Sequence, residues 1–309
     1  MTTNDQEKKS LRCGVVAIVG RPNVGKSTLL NGILGEKVAI VSSVPQTTRQ
    51  QIRGIYNDER GQIVFIDTPG VHLAKDTLGK WMNASSSRTG SDADCIIHLV
   101  DSSEPTGQEE SMVMDQLGDF KNPIIVGLNK IDLKGKYVDH YIAIWEKAKE
   151  KPFHEIENMT LLPISGKTSF NIDKLLNLLF AILPEGPLLY PTDTLSDLPQ
   201  RVAIADIIRE KLFWLMREEV PHSLAVIIKD IVKRKKNLLY IPAVILVERD
   251  SQKEIVIGKK GQILKEVGTA ARKELEDLMG QKIFLELFVK TEKNWRDNPG
   301  LLNEMGFLI

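Results

Sequence analysis

Gly20-Arg21-Pro22-Asn23-Val24-Gly25-Lys26-Ser27-Thr28 has the residue types and spacing of a phosphate-binding loop. Phosphate oxygens need many donors gathered in a small concavity. The two glycines let the backbone wrap closely, so successive amides face the anion at a helix N-terminus. In such a loop Lys26 reaches the β- and γ-phosphates as a point charge, and the Ser27 hydroxyl is a ligand for Mg²⁺. Asn129-Lys130-Ile131-Asp132, far downstream, addresses the base. A carboxylate at 132 accepts from both N1–H and N2–H₂ of guanine, whereas adenine would set an acceptor against it. A site built on such bonds rejects the wrong ligand by ~10⁴–10⁵. The two motifs together point to GTP and GDP.

Three further stretches fit between and after them. Asp67-Thr68-Pro69-Gly70 follows an apolar run; an aspartate at a strand end can hold Mg²⁺, and the Gly70 amide can meet a γ-phosphate. Val44-Pro45-Gln46-Thr47-Thr48-Arg49 offers a threonine to complete the metal shell. Thr48 is favoured over Thr47, because a threonine directly before the basic residue fits related GTPases best. Ser165-Gly166-Lys167 would add backbone contacts to the base, although alone it is a weak signal. The expected catalytic set is Lys26, Thr48 and Gly70, and the expected metal set is Ser27, Thr48 and Asp67.

The position that often holds a water-orienting glutamine after Asp-x-x-Gly is Val71, which can neither donate nor accept a hydrogen bond. Hydrolysis should therefore be slow and rest on positioning and charge stabilisation. His72 reads as a mobile surface side chain rather than a general base.

These motifs need a scaffold. Cys13–Val19, Gln62–Ile66, Cys95–Val100, Pro123–Leu128 and Leu161–Ile164 read as strands, most too apolar to have a wet face. Helical stretches alternate with them at Lys26–Leu34, Leu78–Ser87, Glu109–Leu117, Val138–Lys149 and Ile172–Leu183. Strands buried on both faces belong to mainly parallel sheets, so residues 12–183 predict a doubly wound α/β domain with ligands at the strand C-termini. Residues 1–11 read as a flexible N-terminus, and the proline-dense 184–200 as an ordered but irregular linker. Residues 201–309 predict a smaller α+β domain. It opens with a helix over Ala203–Glu219, continues with strands Leu224–Val232 and Tyr240–Glu248 around a turn carrying Lys233–Lys236, and ends with a strand at Ile283–Val289. Within it, Gly258-Lys259-Lys260-Gly261 follows the apolar run Ile255–Ile257 and precedes an amphipathic helix. Two close glycines let a backbone approach the phosphates of single-stranded RNA, and the lysines neutralise them.

The 309 residues suffice for about two domains. Formal net charge is zero. From Gln200 onward, however, 20 Lys/Arg face 16 Asp/Glu, so an anionic partner besides the nucleotide would meet the C-terminal part. No run of eighteen apolar residues predicts a membrane span, and the polar N-terminus has no signal-peptide core. Cys13 and Cys95 read as buried thiols of a reducing cytoplasm. An ATP-using P-loop enzyme is the rival reading, opposed by Asn129 and Asp132. A degenerate nucleotide fold is another, opposed by Lys26, Ser27 and Asp67.

The motif order resembles the translation-factor-like GTPases. With Ile207–Leu212, Val247-Glu248-Arg249, Ser251-Gln252-Lys253 and Ile257–Gly261, the chain from Leu11 to its end resembles the Era family, bacterial GTPases with a C-terminal type II KH domain. The resemblance implies binding to the 3′ region of 16S ribosomal RNA, a role in 30S subunit assembly, and a cytoplasmic protein with peripheral inner-membrane association. DNA is not an expected partner, and the expected state is a monomer. It also gives Asn23 a role in binding K⁺ beside the phosphates. The chain departs from the family at Gly166, where alanine is usual, and in Leu73-Ala74-Lys75-Asp76, which lacks a common proline.

Overall fold

The computed structural model describes residues 10–307 except Ser43, Gln46, Leu73, Lys75, Asp119, Arg217, Glu218 and Lys236, and the backbone alone at 87–91 and Lys235. Most of the expected flexible N-terminus, two residues of the stretch after His72, and parts of the 44–49 and 233–236 runs thus lie outside the described residues. The chain divides into two units. One comprises Met1–Val38, Gln51–Val71 and Ser85–Asp197; the other comprises Ala39–Gln50, His72–Ala84 and Leu198–Ile309.

In the first unit the order is β1 (Arg12–Val19), α1 (Lys26–Leu34), β2 (Ile52–Asp58), β3 (Gly61–Asp67), α2 (Thr77–Asp92), β4 (Cys95–Asp101), α3 (Gln108–Leu117), β5 (Ile124–Asn129), α4 (Val138–Lys149), β6 (Met159–Pro163) and α5 (Ile172–Ile182). Helix α2 is divided between the units after Ala84. The sheet runs β2-β3-β1-β4-β5-β6, parallel throughout except for β2, which pairs antiparallel with β3. Every residue of β3 and β4 is buried, as helices on both faces require. Register then aligns the strand ends: Ile18 pairs with Asp67, and Asp101 with Asn129. The loops after β1, β3, β4 and β5 therefore open at one edge, where the strand order reverses direction from β1.

Strand β2 has no counterpart among the expected strands. Its Gly54 breaks the apolar pattern because a Cβ there would stand 2.7 Å from Leu30 and Leu34 of α1. The proline-dense stretch is held along the unit: Glu185 bridges Arg12, Ser196 bridges Gly54, and the Gln62 amide binds Leu189 and Tyr190.

The second unit contains α6 (Gln200–Leu215), α7 (Val220–Ser223), β7 (Ala225–Ile228), β8 (Val232–Lys235), β9 (Leu238–Val247), α8 (Asp250–Ile257), α9 (Gln262–Met279), β10 (Lys282–Thr291) and α10 (Pro299–Glu304). Strand β9 pairs parallel with β10 and antiparallel with β7 and β8. Its alternation buries Leu239, Ile241, Ala243 and Ile245 with Ile204, Ile208 and Leu212 of α6 and Val267, Ala271 and Leu275 of α9. Trp295, Leu302 and Phe307 build a second cluster with Ala225, Ile227, Leu246, Leu78 and Met82.

Two runs of this unit take a form that the sequence left open or gave differently. The apolar run Ile255–Ile257 is the last turn of α8, a helix at whose start the Gln252 side chain accepts from the Glu248 and Arg249 amides, so the Gly-x-x-Gly loop joins two helices. The basic run is not simply a turn, since Val232–Lys235 pairs with β9 as a strand. No helix among the described residues is long and apolar enough to cross a membrane.

Candidate functional site

The phosphate loop begins where β1 ends, and its glycines are sterically required. A Cβ at Gly20 would lie 2.3 Å from the Leu99 carbonyl oxygen. Gly25 sits at φ 100°, in the left-handed region, and a Cβ there would meet the Asn129 amide at 2.4 Å. Lys26 opens α1 and is buried, and its ammonium donates to the carbonyls of Gly20 (3.0 Å) and Arg21 (2.8 Å). Burial lowers its pKa from 10.5 to about 8, against the opposing charges of Asp67, Glu109 and Glu110. Asn23, in the same loop, is exposed with φ 63°.

The Ser27 hydroxyl donates to Asp67 Oδ2 at 2.6 Å. One hydroxyl and one carboxylate at a loop edge suit Mg²⁺, which keeps few protein oxygens and fills its octahedron with water and phosphate. The Asp67–Gly70 turn closes on the phosphate loop: a Cβ at Gly70 would stand 2.7 Å from the Pro22 nitrogen, and the Val71 amide donates to the Gly20 carbonyl at 3.4 Å. Thr68 is fully buried, with its hydroxyl given to the Ile18 carbonyl at 2.8 Å, so its side chain ties β3 to β1.

Asn129 ties the Gly20–Ser27 loop to the Ser165–Lys167 loop. Its amide N–H donates to the Val24 carbonyl at 2.7 Å, and its Oδ1 accepts from the Gly166 amide at 3.0 Å. Lys130 pairs with the buried Asp101 at 2.5 Å. Asp132 stays exposed at the edge. Ser165 is buried and caps the next turn through Thr168, while Lys167 is exposed. Glycine at 166 has a local cause, because a Cβ there would press on Leu29 backbone atoms of α1 at 3.0 Å.

Thr48 belongs to the second unit. The segment around it is held there by side chains: Arg209 donates to the Thr47 carbonyl at 2.6 Å, Gln50 to the Met305 carbonyl at 2.6 Å, and buried Arg49 to the Leu224 carbonyl at 2.8 Å. Burial, then the charges of Arg209 and Arg296, push the Arg49 pKa well down. Glu210 accepts from the Val41 amide at 3.0 Å. Sequence reasoning placed no role on these arginines, whose partners lie far away along the chain. His72 is a correction: it is 5% exposed, not a mobile surface group, and its backbone is bonded on both sides to the Asn83 amide. Val71 is fully buried.

In the same unit Gly258 (φ 70°) and Gly261 (φ 74°) bracket exposed Lys259 and Lys260. A Cβ at 258 would strike Ile263 at 2.6 Å, whereas 261 faces open space. Beside this loop, between α9 and β10, lies a groove of about 390 Å³ lined by Leu264, Lys265, Gly268, Arg272 and Leu287. Its apolar floor with a cationic rim suits bases and phosphates together.

Comparison with known proteins gives the same two domains. Residues 15–130 match the family described as 50S ribosome-binding GTPase, and residues 219–296 match the KH domain family. The chain is 44% identical to GTPase Era of Heliobacterium modesticaldum, over 97% of this chain and 98% of that one. It is 45% identical to GTPase Era of a Geobacter species, over 97% and 99%. Among solved structures it resembles Era in complex with MgGDPNP and nucleotides 1506–1542 of 16S ribosomal RNA (TM-score 0.88, 40% identity, 97% of this chain and all of that one). It also resembles a variant of Aquifex aeolicus Era bound to GDP·AlF4⁻ (TM-score 0.88, 39% identity, the same coverage). A P-loop GTPase domain followed by a KH domain, matched end to end at this identity, makes the chain a member of the Era family of GTPases.

Proposed function

We propose that this GTPase binds GTP and GDP with Mg²⁺ in the first unit and single-stranded RNA along the Gly258–Gly261 groove, the RNA being the 3′ region of 16S ribosomal RNA during 30S assembly. The observation that carries the reading is the co-occurrence in one chain of the Asn129-tied nucleotide loops and the glycine-bracketed, lysine-edged groove. Its relative of known structure binds both ligand classes.

The metal, when bound, neutralises charge on the transferring phosphate and fixes its orientation. Ser27 and Asp67 would hold it, and Thr48 would join them. Lys26 stabilises charge on the β- and γ-phosphates, and the Gly70 amide meets the γ-phosphate. Arg21, Pro22, Asn23, Val24, Gly25 and Thr28 line the phosphates, Thr68 and Pro69 hold the Gly70 turn, and Lys130, Asp132, Ser165, Gly166 and Lys167 frame the guanine. With Val71 where a polar residue would orient water, turnover is slow. Steady-state hydrolysis at hundreds per second would contradict that, as equal rates in K⁺ and Na⁺ would contradict a K⁺ site at Asn23. The protein acts as a cytoplasmic monomer with peripheral contact at the inner membrane.

Segments 39–50 and 72–84, which flank the nucleotide motifs in sequence, pack within the RNA-binding unit. That arrangement supports coupling, because order in those segments is what a γ-phosphate changes in such enzymes. The test is GTP affinity with and without a short single-stranded fragment of the 16S 3′ end. A reciprocal shift is expected, and unchanged affinity for both ligands would reject coupling. Gly261→Asp should weaken RNA binding about tenfold or more while sparing GTP, since the carboxylate repels phosphate at closest approach. Parallel loss of GTP binding would contradict the division of labour.

A further inference from the structure

Behind the phosphate loop, side chains from β4, α3, α4 and the loop itself form one connected chain, made of hydrogen bonds and one buried ion pair. The Trp145 indole N–H donates to His98 Nδ1 at 3.2 Å. An indole nitrogen only donates, so Nδ1 is the acceptor and the imidazole proton sits on Nε2. That N–H donates to Glu110 Oε1 at 2.7 Å. The second carboxylate oxygen forms an ion pair with Arg21, 2.9 Å from Nε but without hydrogen-bond geometry, and Arg21 Nη2 donates to the Tyr141 hydroxyl at 2.7 Å. Tyr141, with its pKa pushed up to about 12 by burial, donates its own hydroxyl proton to the Glu104 carbonyl at 3.3 Å. His98 and Glu110 are 1% exposed, and Tyr141 and Trp145 are 2% exposed.

A buried ion pair is a weak source of stability, because desolvation cancels most of the attraction. What this one supplies is direction. With Nδ1 committed to Trp145, His98 offers Glu110 one N–H, and Glu110 cannot turn without breaking that bond. Arg21 is the second residue of the phosphate loop, and its carbonyl is one of the two that receive the Lys26 ammonium. Glu110 sits in the first turn of α3, where the helix dipole favours a carboxylate.

We infer that Glu110, oriented by His98, is a positioning residue for GTP: by clamping the Arg21 side chain it fixes the loop carbonyls that hold Lys26 and the amides that face the phosphates. Tyr141 secures the other end of the same guanidinium. The Glu110 charge, with those of Asp67 and Glu109, also favours protonated Lys26. None of these side chains except Arg21 belongs to the motifs that define the nucleotide site, and His98 and Glu110 act only through Arg21.

Glu110→Gln preserves shape while removing the charge. GTP kcat/KM should fall about tenfold to a hundredfold, the range expected when a reacting group is displaced by a fraction of an ångström to one ångström. Kd for GTP and GDP should weaken together, in protein that circular dichroism shows to be folded. Tyr141→Phe deletes one hydroxyl and should lower kcat/KM about threefold, on the scale of one neutral hydrogen bond. In an Arg21→Met background Glu110→Gln should cause no further loss, since its route is gone. A lower melting temperature with unchanged kcat/KM and Kd would make the network a brace of the fold alone and overturn the inference. Additive losses in the double variant would overturn it too. If Glu110→Gln does not fold, unchanged kcat/KM in Tyr141→Phe overturns it in the same way.

Discussion

The phosphate loop and the segment 39–50 are built in opposite ways. The loop is a backbone object: Gly20 and Gly25 admit no side chain, and Lys26 binds carbonyls. The segment is held by side chains, with Arg49 on the Leu224 carbonyl and 5.5 Å above the Trp295 ring, Gln50 on Met305, and Arg209 on Thr47. The close turns of the cradle are set by the backbone, and the Arg21–Glu110 pair braces it from outside. A segment held by a few side-chain bonds can exchange them at modest cost, which is what a nucleotide-sensing element requires.

The sharpest way to break this contrast is at Lys26. Lys26→Ala should lower GTP turnover by about 10²–10³, the usual cost of one preorganised donor, while leaving the segment's anchoring untouched. A loss below tenfold would mean that the cradle does not depend on its ammonium. The wild-type pH profile reads the same group. With its pKa lowered from 10.5 to about 8, Lys26 in the free folded protein is neutral above pH 8 while the unfolded chain keeps the proton until about 10.5. Stability from this group therefore rises with pH across that window, whereas affinity for GDP, which needs the ammonium, should weaken about tenfold per unit above pH 8. Calorimetric titration from pH 7 to 9.5 checks it, and a flat profile would count against the assignment.

On the other side of the comparison, Arg49→Met removes a buried hydrogen bond and the contact over Trp295. It should cost roughly 1–3 kcal/mol of stability in the second unit, read by denaturant titration of Trp fluorescence, with GTP affinity changed less than RNA affinity. The smallest effect is expected at Gly166→Ala. Its Cβ at 3.0 Å from Leu29 asks α1 for a few tenths of an ångström. GTP affinity should drop by less than about tenfold, near 1 kcal/mol, and a complete loss would show that α1 cannot yield to the added methyl.

Legibility in the sequence divides along the same line. Gly20, Lys26, Asp67, Asn129 and Gly258 are readable because backbone geometry and charge restrict those positions to one residue type, at fixed distance from a strand or helix end. Strand β2 hides because Gly54, placed to let α1 approach, interrupts its apolar alternation. Ile255–Ile257 carries no period that decides between helix and strand, being a short apolar run, and the bonds from the Glu248 and Arg249 amides to Gln252 mark the helix start only in the structure. The burial of His72 and Arg49 depends on partners supplied by distant stretches such as Asn83 and Trp295, which no local pattern announces. The Glu110 clamp is hidden for the same reason: His98, Glu110 and Trp145 come from three separate elements.

Choice of guanine by Asp132 is proposed for a site whose loops Asn129 ties together. Titrating the purified protein with GTP and with ATP, each with Mg²⁺, tests it most directly. A preference for GTP of about 10³ or more is predicted, with most of it lost in Asp132→Ala. Equal affinity for the two nucleotides would mean that Asp132 does not select guanine.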